Sequence, residues 1–187
     1  MKGCRPLDQN EVARILADLA PRDKLLALTG LYFGTRISET LALTFGAVAG
    51  KYIAIKSAKG SDNVTFEIPD AYRTAVEALK RDYEVSGRMV FTTTPLFLSR
   101  KADANGADKA INRQQASQII SDAAKRCGIE GKINSHSMRK TFVTKVYELS
   151  GKDIAATKKY SRHKNLANLD YYIGTTEDLS LVGQLSW

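Results

Sequence analysis

Lys51-Tyr52-Ile53-Ala54-Ile55-Lys56 alternates polar and apolar side chains and carries β-branched residues, and Val64-Thr65-Phe66-Glu67-Ile68 repeats the pattern. Between them, Ala58-Lys59-Gly60-Ser61-Asp62-Asn63 is made of turn residues. Two alternating runs around such a turn predict a β-hairpin. Outward from it in both directions the apolar spacing is helical. Upstream, Asp8 and Glu11 form a capping-box pattern before Val12, Ile15, Leu16 and Leu19, which share one helical face. Pro21 ends that segment or opens the next. Lys24 to Phe33 is apolar enough for a buried helix, Gly34 interrupts it, and a third helical pattern runs from Ile37 to Leu43. Downstream, Pro69-Asp70 opens a helix with Tyr72, Ala75, Val76, Leu79 and Tyr83 on one face. Helical patterns resume at about Asn112 to Cys127, then at about 137–149, 153–160 and 165–173, after a polar surface loop at 99–110. The fold class is therefore α+β, mainly α, with one small antiparallel hairpin.

The chain has 187 residues, enough for one domain, or for a domain with a small appendage. Lys plus Arg number 28 against 20 Asp plus Glu, a net charge of +8 that favours a polyanionic partner such as DNA or RNA. Cys4 and Cys127 form no CxxC pair and read as free thiols in a reducing compartment. Two Cys and two His without ligand spacing argue against zinc. No apolar run approaches the roughly 20 residues that span a bilayer. The N-terminus lacks a secretion signal, so a cytoplasmic location is expected.

Certain residues stand in an order that suits metal-free phosphoryl transfer. Arg36 lies in Gly34-Thr35-Arg36-Ile37-Ser38-Glu39, Lys59 in the hairpin turn, and His136 and Arg139 in His136-Ser137-Met138-Arg139. His163 and the pair Tyr171-Tyr172 follow. Attack of a hydroxyl on a DNA phosphate builds charge on equatorial oxygens, which preorganised cations stabilise. Arginine suits this because its planar fork makes paired hydrogen bonds to phosphate and keeps its proton. No compact carboxylate cluster offers a magnesium site, so neither metal nor cofactor is expected. Read singly, each residue has a plain structural alternative. Arg36 could cap or pair on a helix surface, Lys59 could be a turn lysine, and His136 and Arg139 could share a helix face. His163 lies amid Lys158, Lys159, Arg162 and Lys164 and could belong to a basic DNA-contacting patch, and the tyrosines could be core aromatics.

The ordered set resembles the catalytic domain of the tyrosine recombinases, the phage integrase family, over about Arg5 to Ile173. Arg36 is similar to that family's first arginine, and Lys59 to its hairpin lysine. His136 and Arg139 match its H-x-x-R box, and His163 its later His or Trp. Tyr172 lies nine residues beyond His163, at the family's usual spacing. The resemblance implies that Arg36 and Arg139 clamp the scissile phosphate. It implies that His136 accepts or shuttles the tyrosine proton and that His163 hydrogen-bonds a phosphoryl oxygen. Lys59 would protonate the 5′-oxygen, and Glu39 would support the site by orienting its neighbours. Tyr172 would attack to form a 3′-phosphotyrosine, with Tyr171 as the alternative nucleophile. Adjacent helical residues point about 100° apart, so the two tyrosines cannot both face one phosphate.

The implied activity is site-specific recombination of double-stranded DNA, with self-association to a tetramer on paired sites and no membrane partner. The alternatives are a type IB topoisomerase-like nicking-closing enzyme and a catalytically silent DNA-binding regulator. This sequence departs from the family pattern at Arg162, where the family has Gly, and at Lys140, where it has His. The expected organisation is a single catalytic domain over 1–187, with a core at 1–174 and a tail at 175–187. Leu179, Val182 and Leu185 in the tail could dock on another protomer or cover their own core. The expectation is also that no N-terminal core-binding domain precedes it, the chain being either a single-domain enzyme or a part of a longer one.

Overall fold

A computed structural model describes residues 3–56, 63–101 and 106–162. Within them the elements run α1 Gln9–Asp18, α2 Pro21–Phe33, α3 Ile37–Leu41, β1 Tyr52–Ile55, β2 Val64–Glu67, α4 Asp70–Val85, α5 Arg113–Arg126, α6 Ser135–Leu149 and α7 Ile154–Ser161. The mainly helical reading with one two-stranded antiparallel sheet holds. The expected helix at 165–173 and the tail lie outside the described residues.

Local signals set the element ends. The Asp8 carboxylate accepts the Glu11 N–H at 2.8 Å, and the Glu11 carboxylate accepts the Asp8 N–H at 3.0 Å, closing the capping box on α1. Pro21 opens α2 at its first turn, where a missing N–H costs nothing. Gly34 ends α2 at φ 54° and donates to the Gly30 carbonyl. A side chain at Gly34 would be strained by that φ and would also collide with the Phe142 ring. In the hairpin, Ile53 pairs with Phe66 and Ile55 with Val64, with Ile53 and Ile55 turned into the core.

α2 is the spine. Leu25, Leu26, Leu28 and Phe33 pack toward α4 and the hairpin, while Ala27 packs toward α1, α5 and α6. Helices α2 and α6 approach closely at Gly30, where an added Cβ would lie 2.7 Å from the Met138 Cβ. This contact brings the turn after α2 against the start of α6.

One part of the core was not anticipated. Leu96, Phe97 and Leu98 are buried in an extended segment with no long strand of its own. Its backbone is tied to Leu43 at 3.0 Å and to the Tyr83 hydroxyl, which accepts from Leu98 N–H and donates to Leu96 C=O. The expected surface loop that follows is tied across its base. Ser99 N–H donates to Lys109 C=O at 2.8 Å, and Ile111 N–H to Phe97 C=O at 2.8 Å.

Candidate active site

The turn after α2 places Arg36 at the N-cap of α3 with an extended backbone, φ −72° and ψ 150°. Glu39, three residues on, reaches back as in half of a capping box. Its Oε2 accepts the Arg36 N–H at 2.8 Å, and its Oε1 accepts Arg36 Nη1 at 3.0 Å. The Glu39 side chain is fully buried, whereas the Arg36 side chain keeps 31% of its surface in solvent. Beneath them the Thr35 and Thr40 hydroxyls share a 2.6 Å hydrogen bond that stiffens the turn.

Arg139 projects from the second turn of α6 and is completely buried. Its Nη1 donates to the Gly34 carbonyl, and its Nη2 donates to the Ser161 carbonyl at 2.7 Å. One guanidinium thus joins the end of α2 to the end of α7. Buried arginine needs such partners, because an unpaired buried charge is far more costly.

His136 is in the first turn of α6, whose N-cap Asn134 accepts the His136 N–H at 2.9 Å. The residue is exposed on its outer side. Its imidazole is held below the ordinary histidine value by the protein packed beside it, and then by the positive charges of Arg139, Lys140 and Arg36. That direction favours the uncharged imidazole at neutral pH. Arg36 and Arg139 stand 103 residues apart in the sequence, and the hydrogen bond from Arg139 to the Gly34 carbonyl brings α6 against the turn that carries Arg36.

Two residues that depart from the family pattern have distinct positions. Lys140 is buried and donates to the Cys4 carbonyl at 2.7 Å, tying the chain's N-terminal segment to α6. Arg162 caps α7 in the left-handed region, φ 59°, where the family has glycine. Its Nη2 donates to Glu39 Oε2 at 2.8 Å and lies 3.4 Å from the Gly34 carbonyl. Burial pushes the Glu39 carboxyl up, but the Arg36 N–H, Arg162 and the Arg36 guanidinium outweigh it. Glu39 stays below its ordinary value, charged. The signal for Arg162 was visible in the sequence as a misplaced arginine, but its partner was not.

Of the residues expected at the site, Arg36, Glu39, His136 and Arg139 are gathered here. Lys59, His163, Tyr171 and Tyr172 lie outside the described residues. Among the described residues, no group of three or more His, Cys, Asp or Glu side chains could hold a metal ion, and no helix is long and apolar enough to cross a membrane. Glu39 receives Arg36 and Arg162, Arg139 and Arg162 meet at the Gly34 carbonyl, and His136 feels the charges of Arg139 and Arg36, so positive charge exceeds negative here, an arrangement that suits an anion.

Comparison with known proteins bears on the family and the fold. The phage integrase family matches residues 5–178. The probable integrase/recombinase YoeC of Bacillus subtilis (strain 168) is 30% identical over 169 residues, covering 90% of this chain and 86% of that protein. The crystal structure of XerA recombinase superposes with a TM-score of 0.73 at 19% identity, over 97% of this chain and 66% of that one. The XerH site-specific recombinase bound to its difH substrate, in a pre-cleavage complex, gives a TM-score of 0.72 at 18% identity, over 96% of this chain and 52% of that one. The chain thus spans only about half to two thirds of these solved recombinases, and at such identities they establish the fold.

Proposed function

The chain belongs to the phage integrase family of tyrosine-type recombinases, and from that premise we propose that it cuts and rejoins double-stranded DNA through a covalent 3′-phosphotyrosine. The observation that carries the reading is the convergence of Arg36, Arg139 and a neutral His136 on one anion-favouring corner. In this reading Tyr172 Oη attacks the phosphorus as the bond to the 5′-oxygen breaks. His136 takes the tyrosine proton, which an unperturbed phenol with a pKa of about 10 would keep at neutral pH. Lys59 gives a proton to the departing 5′-oxygen. The arginines and His163 hold the phosphoryl oxygens as charge develops. The phosphotyrosine retains the energy of the phosphodiester, so a 5′-hydroxyl reverses the step without ATP. Neither a metal nor a cofactor takes part. Two DNA sites and a tetramer, linked by the tail at 175–187, would let strands change partners in the cytoplasm.

Covalent trapping tests the reading. Nicked suicide duplexes spanning the DNA beside the gene are incubated with the protein in EDTA, then resolved on an SDS gel and mapped. The expected adduct is on Tyr172 and disappears in Tyr172→Phe while binding persists. An adduct surviving Tyr172→Phe moves the nucleophile to Tyr171. Specific binding without any adduct would exclude the recombinase reading.

A further inference from the structure

A lysine at position 140 is an odd choice for the fold alone. The residue is 3% exposed, and taking an ammonium out of water is costly. Cys4, whose carbonyl accepts from Lys140 Nζ at 2.7 Å, is buried as well. The segment Cys4–Leu7 that carries this carbonyl lies along α6 as a strap. The Leu7 N–H donates to the Thr141 hydroxyl at 2.9 Å, the Arg5 N–H to the Lys132 carbonyl at 3.3 Å, and Arg5 Nε to the Glu130 carbonyl at 3.0 Å. The strap therefore runs from the middle of α6 back past its first residue, Ser135.

That course locates the Lys140 ammonium. Side chains on a helix lean toward its N-terminus, and residues four apart share a face. Lys140 thus leans over the turn of His136, four residues earlier. The carbonyl that holds it sits beside Arg5, the strap residue tied to the chain just ahead of α6. The start of a helix is the positive end of its dipole, so a further cation there is opposed. A glutamine could donate to Cys4 without that charge. Resting on the recombinase reading, we propose that Lys140 is a positioning residue for His136: the strap fixes its ammonium one helical turn from the imidazole, where it keeps the ring ready to accept the tyrosine proton. Among the described residues, the charges acting on His136 are Arg139 and Lys140 of its own helix and Arg36 at the head of α3, all of which oppose an imidazolium.

The test uses the full chain with Lys140→Gln, Lys140→Met and Lys140→Arg. Glutamine keeps a donor for the Cys4 carbonyl and loses the charge, methionine loses both, and arginine keeps both. Thermal unfolding reports the fold. The His136 C2–H signal, assigned by its loss in His136→Gln, is titrated by NMR without DNA. Single-turnover adduct formation on the suicide duplex, across the same pH range, reports the reaction. In Lys140→Gln the imidazole is expected to titrate at higher pH, because a repelling charge is gone. The acid limb of the rate profile should move the same way, so that adduct forms about 3-fold more slowly at about pH 6. Lys140→Arg should keep both readings near the wild type. If the glutamine variant does not fold, Lys140→Met is judged by the same two readings. A His136 titration unmoved in a folded charge-loss variant overturns the proposal, as does a moved titration with an unmoved acid limb. A folded Lys140→Arg that behaves like Lys140→Gln also overturns it. If the wild type forms no adduct while the His136 titration still moves, the recombinase reading fails and the hold of Lys140 on His136 stands. If the wild type reacts and the titration stays in place, the role of Lys140 fails alone.

Discussion

Two arginine–carboxylate pairs in this molecule invite comparison. Arg126 and Asp18 join α5 to α1 with close geometry, Nη2 to Oδ2 at 2.6 Å and Nε to Oδ2 at 3.0 Å, on an open surface. Arg162 and Glu39 make one contact at 2.8 Å with both side chains sealed from solvent. By distance alone the surface pair looks stronger. Water reverses the ranking, because it competes for the exposed pair and cannot reach the buried one. Burial, more than bond length, decides which pair the fold depends on.

The largest expected effect is therefore at Glu39. Glu39→Ala strands the buried Arg162 charge and should cost about 3–5 kcal/mol in urea unfolding, as broken buried pairs do. A loss no greater than that from a surface substitution would erase the contrast. Glu39→Gln keeps the shape and should cost less, about 1–3 kcal/mol, in the same experiment.

Acid should separate the pairs next. Glu39 is held below its ordinary value in the fold, so the unfolded state binds its proton first. Its stabilisation is whole above the unfolded carboxylate value and is lost as pH falls through the lower folded value. Unfolding followed below about pH 5 should show this limb in the wild type and a flatter one in Glu39→Gln. His136 follows the same sign, also being lowered, but in a higher window. It should titrate below about 6.5 by NMR, and removing a neighbouring cation with Arg36→Ala should raise it. The smallest effect is at Arg126: Arg126→Ala should leave the denaturation midpoint within experimental scatter, at low and high salt alike.

What the sequence disclosed follows the same division between near and far. The Asp8–Glu11 box, the stop at Gly34 and the hairpin are decided by residues a few positions apart, and each was readable. Arg36 and Glu39, three apart, could be placed on one turn for the same reason. The buried segment at Leu96–Leu98 was not readable, because its partners are the Leu43 backbone and the Tyr83 hydroxyl. Arg162 was legible only as an exception to a pattern. Its meaning lies in Glu39, 123 positions earlier. Lys140 is similar, since the carbonyl it serves is at Cys4. Convergence of distant residues depends on packing, such as the close approach of Gly30 to Met138, which no local periodicity encodes.

Arg139 carries a consequence for how such a protein can age. Its guanidinium is a strut between the carbonyls of Gly34 and Ser161. A lineage that abandoned strand cleavage could discard an exposed group freely, but discarding this arginine would take away the donor that the Ser161 carbonyl receives and leave the Gly34 carbonyl only the longer contact with Arg162, loosening the ends of two helices. Descendants that had fallen silent would therefore be expected to retain it long after its chemistry had lapsed, so that its presence in a genome records an intact scaffold more reliably than a working enzyme.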